Sequence, residues 1–112
     1  MSITHIVLLK FKEGIDPNAR DEIIKKCLAL KGDCLDATSQ KPYILHFEGG
    51  TNNSNQGLED GATHAFVAKF ASKADVEYYL KEDPVHRKFS ADVRPFASKF
   101  VIVDFTPGVF EA

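Results

Sequence analysis

The chain has 112 residues, of which 44% are hydrophobic and 27% charged, and a formal net charge of −2. That length suits one domain spanning residues 1–112 and scarcely two. The near-neutral balance gives no electrostatic reason to expect a nucleic-acid partner, and no run approaches the ~18 apolar residues of a membrane span. Cys27 and Cys34 form no C-x-x-C pair. They read as two reduced thiols of a cytoplasmic protein, not as a disulfide framework or a zinc site.

The opening MSITHIVLLKFK alternates with period two and carries charge at Lys10 and Lys12. It predicts a strand over 2–12, not a secretory signal. Ile3, His5, Val7, Leu9 and Phe11 share one face, which is apolar except for His5. Asp16-Pro17 opens a helix: Asp suits the N-cap, and Pro suits the first helical position, where its missing N–H is not needed. Ala19, Ile23, Ile24, Cys27, Leu28 and Leu30 form its apolar stripe, and Gly32 is expected to end it.

KPYILHFE (41–48) predicts a second strand, with Tyr43, Leu45 and Phe47 on one face and Ile44 and His46 on the other. GGTNNSNQGLEDG (49–61) is the one long polar loop, expected to rim any pocket. It lacks the glycine and lysine spacing of a phosphate-binding loop. ATHAFVAKFA (62–71) predicts a third strand with His64, Phe66, Ala68 and Phe70 on one face. The small Ala68 between two phenylalanines leaves room for something.

SKADVEYYLKE (72–82) predicts a short helix with Val76, Tyr79 and Leu80 apolar. Asp83-Pro84 repeats the cap device of Asp16-Pro17 and starts another helix, with Val85, Phe89 and Val93 inward. KFVIVDF (99–105) is the last strand. This β-α-β-β-α(α)-β order is solved most simply by an α+β fold, a ferredoxin-like four-stranded antiparallel sheet with helices on one face. Strands 2–12 and 99–105 are apolar on both faces, and one helical layer covers only one. A second copy is the simplest cover for the other, so a homodimer is expected.

His5 and His64 each interrupt an apolar strand face, and His86 stands three residues after the cap Asp83. A helix N-terminus disfavours a protonated imidazole, which would leave His86 neutral and free to act as a base. A lone histidine on a strand is more often a hydrogen-bonded structural residue, so convergence in one pocket is the deciding feature. No H-x-x-x-H or H-x-H pair suggests a metal.

THIVLLKFK, DGATHAFVAKF, YYLKEDPVHRKF and VIVDFTP together resemble the stress-responsive dimeric α/β-barrel (Dabb) family over residues 2–107. The resemblance implies the fold just derived, with two copies pairing their sheets into a barrel. A plant cyclase of that family closes a linear polyketide by an intramolecular aldol reaction, using a histidine in a Pro-x-His segment and a tyrosine. Its histidine corresponds to His86, and its other pocket histidines resemble His5 and His64. Its tyrosine lies six residues before the histidine, where this chain has Leu80; Tyr79 lies seven before.

The resemblance therefore implies His86 as base and Tyr79 as its partner, with His5, Val7, His64, Phe66, Phe70, Leu80 and Phe89 as the substrate wall. It implies no metal or other cofactor. Two readings stay open: a cyclase-like enzyme on an apolar, ketone-bearing metabolite, or a non-catalytic stress-response protein or carrier of a small hydrophobic ligand.

Overall fold

A computed structural model describes residues 1–111 of the protein. The elements run β1 (Ile3–Phe11), α1 (Pro17–Asp33), β2 (Ile44–Thr51), β3 (His64–Phe70), α2 (Lys73–Lys81), α3 (Pro84–Val93), a 3-10 turn (Arg94–Phe96) and β4 (Ala97–Phe105). The sheet order is β2-β3-β1-β4, with every neighbouring pair antiparallel. This is the ferredoxin-like arrangement expected from the element order.

Register assigns the two faces. His5, Val7 and Leu9 stand opposite Ala68, Phe66 and His64 of β3, and opposite Asp104, Ile102 and Phe100 of β4. Directly opposed residues point to the same side of a sheet, so these nine share the helix-facing side. Thr4, Ile6 and Leu8, opposite Phe105, Val103 and Val101, share the other. The helical layer covers β1 and β3 but stops short of β4, which has no buried residue.

Helix α1 buries Ile23, Cys27 and Leu30, one stripe at i, i+4 and i+7. Burying a side chain such as Ile23 or Leu30 contributes roughly 1.5–3 kcal/mol. Gly32 does not end this helix, which runs to Asp33 and is capped at Cys34, whose amide bonds the Leu30 carbonyl. The two Asp-Pro starts also differ. Asp16 makes no side-chain cap bond. The Asp83 carboxylate accepts from the amides of Val85 (2.9 Å) and His86 (3.4 Å).

Strand β2 departs from the expected alternation. Ile44 pairs with Phe70 and His46 with Lys69, so Leu45 is the extra residue of a bulge. The bulge shifts the phase: Ile44 joins Phe47 on the helix side, and Leu45 is exposed. The strand also continues through Gly49-Gly50-Thr51, which had read as the start of the loop. A Cβ on Gly49 would sit 2.2 Å from Phe66 Cδ1, so this strand position tolerates no side chain.

Candidate active site

Between the sheet and helices α1, α2 and α3 lies an apolar cavity of about 220 Å³. That is far more than the share of one water molecule and suits a small metabolite. Strand β1 supplies His5, Val7 and Leu9, and β3 supplies Phe66 and Ala68. Ala68 faces His5 across the strand pair, so its missing bulk opens the space beside that ring. The helices supply Cys27, Leu30, Tyr79, Leu80, His86, Phe89, Ser90 and Val93. Phe47 and Arg94 complete the wall, together with Phe100 and Ile102 on the uncovered strand β4.

At one end, Tyr79 and His86 stack with ring centroids 3.8 Å apart and planes inclined by 28°. Tyr79 is buried and packs on Phe70 at 5.0 Å. Burial raises its phenol pKa well above the ordinary value, with the nearby Cys34 and Cys27 thiols adding to the shift. The Tyr79 hydroxyl therefore stays protonated at neutral pH. His5 meets the edge of Tyr79 at 6.0 Å and donates from Nδ1 to Asp104 Oδ1 at 2.5 Å.

The His86 pKa is lowered, first by burial and further by the nearby His5. The helix start anticipated from sequence is thus not the leading cause. The Tyr79 main-chain carbonyl and the Asp83 carboxylate oppose the shift without reversing it. Nε2 lies 3.4 Å from Ser90 Oγ. Nδ1 is buried and has no partner in hydrogen-bonding geometry. Nδ1 is thus closed off from the cavity, so Nε2 is the ring nitrogen left to exchange a proton with a molecule bound there, and burial keeps the imidazole neutral enough to accept one.

Asp83 fixes where His86 stands. It is 1% exposed, and beyond its cap bonds it accepts the Tyr43 hydroxyl at 2.5 Å. That hydroxyl, held by burial and by this bond, has its pKa raised far above the phenolic range.

Two expected wall residues lie elsewhere. His64 is opposite Leu9, four residues along β1 from His5, or about 13 Å. Its ring packs edge-on to Phe11 at 5.0 Å, and its Nδ1 lies 2.9 Å from Thr63 Oγ1. Phe70 is fully buried in the core with Leu30, Cys34, Ile44 and Val76. It backs Tyr79 and His5 from behind and does not line the cavity. Val85, expected inward, is partly exposed, and no residue of the 49–61 stretch reaches the cavity wall. His5, Val7, Phe66, Tyr79, Leu80, His86 and Phe89 do meet there. Phe47, Ser90, Arg94 and the His5 partner Asp104 were not anticipated.

Among the described residues, no group of three or more His, Cys, Asp or Glu side chains could hold a metal ion. Both cysteines are free and buried, and no helix is long and apolar enough to cross a membrane.

The family model of the stress responsive A/B barrel domain matches residues 3–107. The chain belongs to this family. It is 29% identical over 105 residues to the stress-response A/B barrel domain-containing protein HS1 of Arabidopsis thaliana, covering 94% of this chain and 89% of that one. It is 27% identical over 107 residues to the olivetolic acid cyclase of Cannabis sativa, covering 96% and 98%. Among solved structures, the hydroxynitrile lyase of Passiflora edulis superposes with a TM-score of 0.82 at 23% identity, covering 98% and 97% of the two chains. A dimeric ferredoxin-like protein of Thermobifida fusca superposes at 0.72 and 21% identity, covering 94% and 90%. At these identities the structural likenesses establish the fold. Two of these similar proteins, a cyclase and a lyase, carry enzymatic names.

Proposed function

We propose that the cavity is the active site of a small homodimeric enzyme performing histidine acid–base chemistry, without a cofactor, on an apolar, ketone-bearing metabolite. The observation that carries this reading is the stacked Tyr79–His86 pair lining an apolar cavity, with the His86 imidazole kept neutral by burial. The likeness to the olivetolic acid cyclase supports the substrate class.

His86 removes a proton from the carbon beside a carbonyl. The enolate then attacks a second carbonyl of the same chain, forming a carbon–carbon bond, and the new alkoxide takes the proton back from His86. Developing oxyanion charge needs a donor. The protonated Tyr79 hydroxyl is the donor available beside His86, while His5, its Nδ1–H committed to Asp104, packs against the edge of the Tyr79 ring. Val7, Phe66, Leu80 and Phe89 hold the apolar part of the chain and exclude water.

The homodimer rests on the sheet face turned away from the helices. There Val103 is 51% and Phe105 44% exposed, beside the half-buried Ile6, Leu8 and Val101. A second copy of this face is its natural cover, and the Thermobifida protein of this fold is described as dimeric. Two free thiols suit a reducing, cytoplasmic setting.

The test is deuterium uptake from heavy water into the carbons flanking the carbonyl of 2-nonanone, followed by proton NMR. The protein should accelerate exchange, and His86→Ala should reduce that acceleration by about 10²–10⁴ at unchanged dimer mass. Binding of the ketone without exchange favours the second reading, a carrier or stress-response protein, to which the resemblance to HS1 points.

A further inference from the structure

His86, Ser90 and Arg94 fall at i, i+4 and i+8, and all three border the cavity. Arg94 caps α3 with helical backbone angles, so the three form one polar stripe down a single face. Eight residues of helix rise about 12 Å. The stripe therefore separates the backbone positions of His86 and Arg94 by about 12 Å along the cavity-lining helix.

No carboxylate answers that guanidinium. No acidic side chain lines the cavity, and among the described residues Arg94 takes part in no ion pair. The other cations near acids are paired: Lys26 and Lys88 with Asp92, Lys99 with Asp60, and Arg20 with Asp21. Arg94 instead shares the lining of this mostly apolar cavity with Val93 and Phe100. An arginine fork left open against an apolar slot matches the two oxygens of a carboxylate.

We propose that Arg94 binds a carboxylate carried at the end of the ligand remote from His86, so that the substrate class is an apolar keto acid. This rests on the cavity being the binding site. The arginine holds the acid group, the apolar walls hold the intervening chain, and the reacting carbonyl reaches the His86 end.

The test compares octanoate with 1-octanol, which has the same chain and no charge, by titration calorimetry at low salt. Octanoate should bind at least tenfold more tightly. Arg94→Ala should abolish the difference by weakening octanoate alone, and Arg94→Lys should restore part of it. Equal binding of acid and alcohol to the wild type, or a preference that survives Arg94→Ala, would overturn the proposal while leaving the cavity reading intact. Binding of neither compound would remove the cavity reading and this proposal with it. Arg94 is exposed at the end of its helix, so its variants should fold normally, which circular dichroism checks.

Discussion

Tyr79 covers one face of His86, with the two ring centroids 3.8 Å apart. The contact joins α2 to α3 across the Asp83-Pro84 turn, and its packing adds to the 3.4 Å contact of Nε2 with Ser90 Oγ in fixing the imidazole plane. Tyr79 therefore serves both the core and the site, and two substitutions separate these roles.

Tyr79→Ala should destabilise the protein by about 3–5 kcal/mol, the usual cost of deleting a buried aromatic ring. Tyr79→Phe keeps the stack and should cost less than about 1 kcal/mol in urea denaturation. If the hydroxyl serves the developing oxyanion, Tyr79→Phe should lower turnover by roughly 10²–10³ at near-normal stability. Unchanged turnover in Tyr79→Phe would assign the residue to packing alone.

The two Asp-Pro helix starts look alike in sequence, yet their stability effects should differ. Asp83 accepts two helix amides and the Tyr43 hydroxyl. Asp83→Ala removes the cap and strands a partly buried hydroxyl, for a loss of about 2–4 kcal/mol. Asp16 makes no side-chain cap bond, so Asp16→Ala should stay within about 0.5 kcal/mol. Thermal denaturation of the two variants side by side is the measurement, and equal losses would sink the argument.

How far the sequence could reveal all this depended on the kind of interaction. Strands β1 and β3 were legible because alternation alone specifies a half-covered strand, and Ala68 advertised the cavity by its size. The bulge at Leu45 was not legible. It sits on an edge strand paired on one side only, so no second neighbour enforces the phase. His64 shared the right face but stood too far along the strand, a distance that appears only once β3 is registered against β1. The His86–Ser90–Arg94 stripe follows helical spacing, but the sequence directed attention to the apolar Val85, Phe89 and Val93 of the same helix.

Gly49 and Gly50 make a paired test of the β2 register. A methyl group on Gly49 would strike Phe66 Cδ1 and the Ala65 carbonyl, at 2.2 and 2.8 Å, whereas Gly50 has open space. Gly49→Ala should cost about 1–3 kcal/mol and weaken 1-octanol binding, because Phe66 is part of the cavity wall. Gly50→Ala should leave both nearly unchanged. Equal behaviour of the two variants in urea denaturation and calorimetry would contradict the register.

The last prediction concerns pH. His86 and His64 both have lowered pKa values, in each case chiefly because burial penalises the charged ring. In the unfolded chain both titrate near the ordinary value of about 6.5. Between the depressed native values and 6.5, the unfolded state binds more protons than the native state, so stability rises with pH across that window. The contribution is complete above about pH 6.5 and is lost as the pH falls through the native values. The surface carboxylates with lowered pKa, Asp36, Asp60 and Asp92, act in a separate window below the ordinary carboxylate value of 3.8. The urea midpoint should therefore fall between pH 7.5 and pH 5.5. Each of His86→Gln and His64→Gln should reduce that fall, and the double variant should nearly remove it. A wild-type midpoint that is flat over this interval would mean that both rings accept protons in the folded state. Under the proposed mechanism, activity should follow the same limb, because protonating His86 removes the base.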